Sequence, residues 1–125
     1  IEVVGYRQRK KGITSFGDLC SVFGANVKFL IGKKKKFKRI NIGNLKTNIT
    51  NKKINQSVNG NTNTVYLNPI NSLRFVLNKL KKDKININKN FWVFTGSSVG
   101  VVPIKNKGLY EGKIDKLGKV QTKII

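Results

Sequence analysis

The chain has 125 residues and a formal net charge of +21, from 26 Lys and Arg against 5 Asp and Glu. A chain of this length is one domain or part of one, able to bury roughly 60–70% of its unfolded surface. It contains no His, which excludes Ser-His-Asp and Cys-His catalysis and His-ligated zinc within these residues. Any chemistry must therefore use carboxylates, Lys, Tyr, hydroxyl groups or a hard metal ion.

The positive charge has two explanations. It suggests an acidic partner such as nucleic acid. However, 22 of the 26 basic residues are Lys, and Lys, Asn and Ile together make up 52 of the 125 residues. All three have AT-rich codons, so a biased genome would produce much of this charge without any polyanion to bind. Composition by itself favours the second explanation.

Cysteine usage and hydropathy bear on the compartment. A single Cys excludes an internal disulfide framework and fits a reducing, cytoplasmic location. No apolar run approaches the ~18 residues of a membrane span, so we expect no membrane partner. Because the chain has no Met, we expect it to be an excerpt or a processed product of a longer protein.

The first quarter of the chain predicts a strand, a helix and a second strand. Ile1 to Val4 is a short apolar run ending at a glycine, and Val27 to Gly32 is another. Between them, residues 15–23 carry apolar side chains at i, i+3, i+4 and i+7, as an amphipathic helix does. Those positions are Phe16, Leu19, Cys20 and Phe23. Cys20 lies on the apolar face and is expected to pack in the core.

The middle and end of the chain predict half-exposed strands, one clear helix and three further strands. Thin apolar spacing up to Val58 favours strands, with turns at Asn51-Lys52 and Asn59-Gly60. Asn68 and Pro69 are a capping residue and a first-turn proline, and an apolar stripe predicts a helix over 69–82. The remaining strands are expected at Trp92–Thr95, Leu109–Ile114 and Lys119–Ile124, with Trp92 and Phe94 in the interior. We therefore predict a single α+β domain over residues 1–125, mostly β, with two short helices.

The segment Lys33–Arg39 has six positive charges around Phe37. Such a run could neutralise phosphates while the aromatic ring stacks on a base. The alternative is a solvated hairpin tip or sheet edge, where Lys prevents unwanted strand pairing. No known nucleic-acid-binding motif accompanies the run, which favours the solvated edge.

Two other features could carry chemistry. The turn Thr95-Gly-Ser-Ser-Val-Gly100 follows an apolar run, and its hydroxyls and amides could donate to a carboxylate or enolate; many ordinary strand-ending turns have the same composition. Glu2 lies within a short apolar strand, where a buried carboxylate needs a partner. That partner could be a metal ion, but with so many cations an ion pair is the simpler explanation.

Taken in order, several segments resemble the C-terminal part of the 2-keto-4-pentenoate hydratases, relatives of the fumarylacetoacetate hydrolases. The first is Ile1-Glu-Val-Val-Gly-Tyr-Arg7. The next are Phe16-Gly-Asp-Leu-Cys20, followed by Gly24-Ala-Asn-Val-Lys-Phe-Leu-Ile-Gly32, and the helix segment starting at Asn68-Pro69. The last are Thr95-Gly-Ser97 and Leu117-Gly-Lys-Val120. The resemblance covers nearly the whole chain.

This resemblance implies a mixed β-sandwich or β-roll and a metal-dependent hydro-lyase acting on a 2-oxo acid such as 2-keto-4-pentenoate, with decarboxylation or C–C hydrolysis as related reactions. It implies Mg²⁺ or Mn²⁺ bound by three carboxylates, with Glu2 as one ligand, polarising the substrate as a Lewis acid. Arg7, Lys11, Thr95, Gly96 and Ser97 would bind substrate, and no catalytic residue is assigned. We also expect a homo-oligomer.

The chain departs from the family pattern in two places. The other two carboxylate ligands belong to a Glu-x-Glu pair upstream, and residues 1–125 contain none; Gly5 stands where the family usually has an acidic residue. The chain is therefore expected to be the C-terminal portion of a longer catalytic domain that holds only part of the active site. Two alternatives remain open: a small basic protein that binds RNA or the ribosome, and a non-catalytic relative that keeps only the fold.

Overall fold

A computed structural model describes residues 1–5, 15, 17, 25–34, 40–88 and 90–125. The chain divides into two compact units, Ile1–Ile31 and Gly32–Ile125. The predicted helix at 15–23 lies almost wholly outside the described residues.

The first unit contains a two-stranded antiparallel ribbon. Strand β1 (Glu2–Val4) pairs with β2 (Asn26–Phe29), with Glu2 opposite Phe29 and Val3 opposite Lys28. The Gly5 amide donates to the Ala25 carbonyl at 2.9 Å and closes the inner end of the ribbon. Both predicted strands are therefore present, although the second ends three residues earlier than the sequence indicated.

The second unit is built on a four-stranded antiparallel sheet made of two hairpins. Its strands are β3 (Lys46–Asn51), β4 (Gln56–Asn61), β5 (Gly108–Ile114) and β6 (Gly118–Ile124), in the spatial order β4-β3-β5-β6. At its centre Ile49 lies opposite Val58 on one side and Gly112 on the other. Thus β5 returns to pair with β3 after a long excursion of the chain.

The β3–β4 turn is shaped by asparagine. The side chain of Asn51 accepts a hydrogen bond from the Lys53 amide at 3.1 Å and caps a 3-10 turn over Lys52–Ile54. Asn55 then adopts a left-handed conformation (φ +48°), which Asn tolerates better than most residues. The predicted turn at Asn51-Lys52 is confirmed.

The core of the described region is small. Its buried apolar side chains are Ala25 in the first unit, and Leu45, Val65 and Tyr110 in the second. In the second unit Thr47, Asn51 and Thr62 are buried as well. The Thr62 hydroxyl accepts from the Leu45 amide at 2.8 Å, so one buried polar group serves to join the segments before β3 and after β4.

The helix α1 spans Pro69–Lys82, as predicted. The Asn68 side chain accepts from the Ile70 amide at 2.9 Å, and Pro69 occupies the first turn, where its missing N–H costs nothing. Lys79, Lys81 and Lys82 lie in the last turn, at the negative end of the helix dipole. None of the residues of α1 is buried, so the other described residues cover its apolar stripe only in part.

Two sequence predictions are wrong. Asn59 and Gly60 form no turn; they continue β4 and pair with Asn48 and Thr47. Trp92–Thr95 is not a strand, and Trp92 and Phe94 are 60% and 41% exposed rather than interior. An apolar run becomes a strand only where a neighbouring strand shares backbone hydrogen bonds with it, and β3 instead has β4 on one side and β5 on the other.

The described elements are mostly strands with one helix, which confirms the α+β, mostly-β class. Within the described part of the chain, no helix is long and apolar enough to cross a membrane.

Candidate functional site

The turn at Thr95–Gly100 is organised by its own serine. The Ser97 hydroxyl donates to the Gly100 carbonyl at 2.6 Å and accepts from the Val99 amide at 3.3 Å. Gly96 and Gly100 have positive φ angles of +126° and +72°, which L residues rarely adopt. The two glycines and Ser97 are therefore the residues that suit the backbone path of the turn.

Strand β4 holds this turn in place. The Asn61 amide donates to the Ser98 carbonyl oxygen at 3.2 Å, and the Thr64 hydroxyl approaches the same oxygen at 3.5 Å. A Cβ placed on Gly60 would lie 1.9 Å from that oxygen, so only glycine permits this approach. The turn is thus fixed to the end of the sheet by its backbone.

The groups that the turn offers to a ligand follow from these contacts. The Ser97 hydroxyl is already used within the turn, so its role is to shape the backbone. Thr95 is half-buried and Gly96 is exposed. Among the described residues neither the Thr95 nor the Ser98 hydroxyl has a hydrogen-bond partner, so both remain as side-chain donors for a carboxylate or an enolate oxygen.

Glu2 lies on the exposed face of the ribbon in the first unit. Its Oε1 accepts from the Asn26 side-chain amide at 2.7 Å. The expectation that Glu2 is buried in its strand is therefore wrong: alternation in so short a ribbon places Val3 inward and Glu2 outward. Its hydrogen-bond partner in the described region is a neutral amide, and the nearby Ile1 ammonium interacts with it electrostatically.

The described carboxylates do not assemble a metal site. No group of three His, Cys, Asp or Glu residues comes together within the described ranges. In the second unit each side-chain carboxylate contacts a lysine: Asp83 with Lys79 at 2.7 Å, Asp115 with Lys113 at 3.5 Å, and Glu111 with Lys119 at 2.9 Å.

Mg²⁺ prefers octahedral oxygen coordination and is usually held by one or two carboxylates plus waters or substrate oxygens. Glu2 alone falls short of the three-carboxylate set that the sequence resemblance implied, so the described residues do not fit that ion by themselves.

In the four-stranded sheet, the Glu111 carboxylate accepts hydrogen bonds from two neighbouring side chains. The Lys119 ammonium donates to Glu111, and the Gln121 side chain donates to the same oxygen at 2.5 Å. These two hydrogen bonds, the first being the larger effect, hold the pKa of Glu111 below its ordinary value. Glu111 is therefore an ionised acceptor in the sheet rather than a proton donor.

The other predicted substrate residues, Arg7 and Lys11, lie outside the described residues, as does Cys20. The described members of the predicted substrate set, Thr95, Gly96 and Ser97, come together in a single turn. Glu2 belongs to the other unit.

Sequence reasoning missed an aromatic surface in the second unit. The Lys34 ammonium lies 6.0 Å from the centre of the Trp92 ring, at the limit of a cation–π contact. An open depression of about 350 Å³ is lined by Lys34, Asn90, Phe91 and Trp92.

Phe37 was the predicted aromatic partner of the lysine run, but residues 35–39 lie outside the described part. The sequence contained one signal for this surface, the adjacent pair Phe91 and Trp92. Neighbouring residues of a strand point to opposite faces, so both rings cannot face one core.

No protein-family model, curated protein or solved structure matches the chain.

Proposed function

We propose that the chain is the C-terminal part of a metal-dependent hydratase that adds water to a 2-oxo acid such as 2-keto-4-pentenoate. The order of its motifs, from Ile1–Arg7 through Asn68-Pro69 to Thr95–Ser97, supports this proposal. The observation that carries it is the Thr95–Gly100 turn, whose conformation is fixed before any ligand binds. Preorganised donors stabilise developing negative charge better than mobile ones.

In this proposal the turn binds the anionic end of the substrate. The Thr95 hydroxyl and the Gly96 amide donate to a carboxylate or enolate oxygen, while Ser97 holds the turn in shape. The family resemblance implies that Arg7 and Lys11 also bind substrate. In the overall reaction the substrate loses its carbon–carbon double bond, and both the added proton and the added hydroxyl come from one water molecule.

The proposed metal site also needs ligands from outside residues 1–125. Glu2 would contribute one carboxylate to Mg²⁺ or Mn²⁺, and two more would have to come from polypeptide outside residues 1–125. The proposal also includes the β-sandwich or β-roll of the complete domain, a homo-oligomer and a cytoplasmic location.

The test is a hydration assay on the full-length protein with 2-keto-4-pentenoate and Mg²⁺ or Mn²⁺. Thr95→Val removes the hydroxyl at nearly constant shape and is expected to raise KM or lower kcat by at least tenfold, because a charge-assisted hydrogen bond contributes about 1.5–3 kcal/mol. Thr122→Val, the same change within β6, is the matched control and should keep wild-type kinetics.

Two results would remove the proposal. The first is a wild-type protein that hydrates no 2-oxo acid with either metal. The second is a Thr95→Val variant that is as active as Thr122→Val.

A further inference from the structure

The aromatic depression in the second unit has no part in the proposed hydratase site. Phe91 and Trp92 are 48% and 60% exposed, and Lys34 and Asn90 border them. A second depression of about 320 Å³ shares Asn90 and Phe91 and continues along Asn86, Ile87 and Asn88 to Leu80. Two large aromatic rings at the surface of a small domain are costly to hydrate, and such exposed apolar patches mark binding sites.

We propose that Phe91, Trp92, Lys34 and Asn90 form a binding site for single-stranded nucleic acid, in which a base stacks on the aromatic rings and Lys34 pairs with a neighbouring phosphate. This site is independent of the hydratase proposal. Stacking of a base on an aromatic side chain is tolerant of sequence and worth about 1–3 kcal/mol per base.

The chemistry of each lining residue fits this ligand. A base that stacks on Trp92 would replace Lys34 on the ring, and the released ammonium could then reach a phosphate on the same strand. The Asn90 side chain carries both a donor and an acceptor, which matches the edge of an unpaired base. The paired depressions leave room for more than one nucleotide beside Phe91.

Electrostatics select this partner over other occupants. The chain has a net charge of +21, and Lys33 and Lys34 are exposed at the start of the run Lys33–Arg39. The acids of the described second unit, Asp83, Glu111 and Asp115, each contact a lysine and oppose this field only locally. A second copy of the chain would bring like charges together, whereas a polyanion releases counterions on binding.

Trp92 is the only Trp in the chain, so its fluorescence reports on the site directly. The probes are U12 and dT12 oligonucleotides, with inorganic polyphosphate as a polyanion that has no bases. We expect both oligonucleotides to quench Trp92 at low salt and to bind more weakly as salt rises. Polyphosphate should compete through charge without quenching by stacking.

Substitutions separate stacking from charge. Phe91→Ala should weaken oligonucleotide binding by roughly 5- to 150-fold, which is the stacking contribution expressed as affinity. Phe75→Ala removes an exposed aromatic on α1 outside the depression and should have little effect. Lys34→Glu should weaken binding and flatten the salt dependence, whereas Lys81→Glu makes the same charge change on α1 and should do less.

Several outcomes would overturn this inference. They are no oligonucleotide binding at low salt, quenching by polyphosphate equal to that by oligonucleotides, and equal effects of Phe91→Ala and Phe75→Ala. Concentration-dependent self-association that buries Trp92, with no response to oligonucleotide, would assign the surface to a second copy instead. Because Lys34 is exposed, Lys34→Glu keeps the test valid if Phe91→Ala fails to fold.

Discussion

The carbonyl oxygen of Ser98 occupies the space in which any residue other than glycine at position 60 would place its Cβ. The two positions are 38 residues apart in sequence, yet a Cβ on Gly60 would lie 1.9 Å from that oxygen. The next amide along β4, that of Asn61, donates to the same oxygen at 3.2 Å. The candidate substrate turn therefore takes its position from strand β4.

Gly60→Ala should displace the Thr95–Gly100 turn from the sheet. The added methyl group meets backbone, which cannot rotate away, so we expect a loss of about 1–3 kcal/mol in the free energy of unfolding. Urea denaturation measures that loss, and amide hydrogen exchange should show faster exchange at Asn61. Ser57→Ala, at an exposed position of the same strand, is the control. If the Asn61 amide is equally protected in both variants, the contact between Gly60 and Ser98 does not position the turn.

Asn68→Ala should destabilise helix α1 at its N-terminus. The side chain accepts from the Ile70 amide at 2.9 Å, and losing such a cap costs about 1 kcal/mol. Circular dichroism and urea denaturation measure helix content and stability. Asn68→Asp keeps the acceptor and should retain both. Equal losses in the two variants would show that position 68 acts through packing rather than capping.

Glu111 should titrate below the ordinary pKa of a glutamate, because Lys119 and then Gln121 donate to its carboxylate. Because folding lowers the pKa of Glu111, its carboxylate contributes its full stabilisation at pH values above the pKa that Glu111 has in the unfolded chain. That contribution is lost as the pH falls through the folded-state pKa. Carboxyl-carbon NMR titration measures this midpoint directly.

Lys119→Met should raise the Glu111 midpoint toward the ordinary value, whereas Lys123→Met on the same strand should leave it nearly unchanged. A Glu111 midpoint at or above the ordinary value in the unmodified protein would contradict the geometry of this cluster.

Elements specified by local signals were predictable from sequence. Asn68, Pro69 and the lysines of the last turn bound α1, and the structure has the helix over the predicted residues. The last two strands were equally clear, since those predicted at Leu109–Ile114 and Lys119–Ile124 are present as β5 and β6. In these segments the local preference and the tertiary structure agree.

Elements that depend on distant partners were not predictable. Asn59-Gly60 has the composition of a tight turn, but pairing with β3 and the approach of Ser98 keep it extended. Phe91–Phe94 has the composition of a buried strand, yet it is not a strand in the structure. For Asn59-Gly60 the outcome is set by residues more than ten positions away.

The candidate site was predictable only in part. The small residues of Thr95–Ser97 marked a turn that could approach a ligand, and such a turn is present. The role of Ser97 in shaping the turn could not be predicted from sequence. Its hydrogen bonds to Gly100 and Val99 depend on the positive φ angles of two glycines. The exposure of Glu2 likewise depends on how β1 pairs with β2.

The most direct test of the proposed function is calorimetric titration of Mg²⁺ and Mn²⁺ into the full-length protein and its Glu2→Gln variant. Gln keeps an oxygen that can accept from Asn26, so the variant removes charge with little change of shape. The account predicts saturable binding that Glu2→Gln weakens at least tenfold, with Glu111→Gln, a charge-matched control, binding as the wild type does. Absence of binding by the full-length protein, or equal binding by wild type and Glu2→Gln, would contradict it.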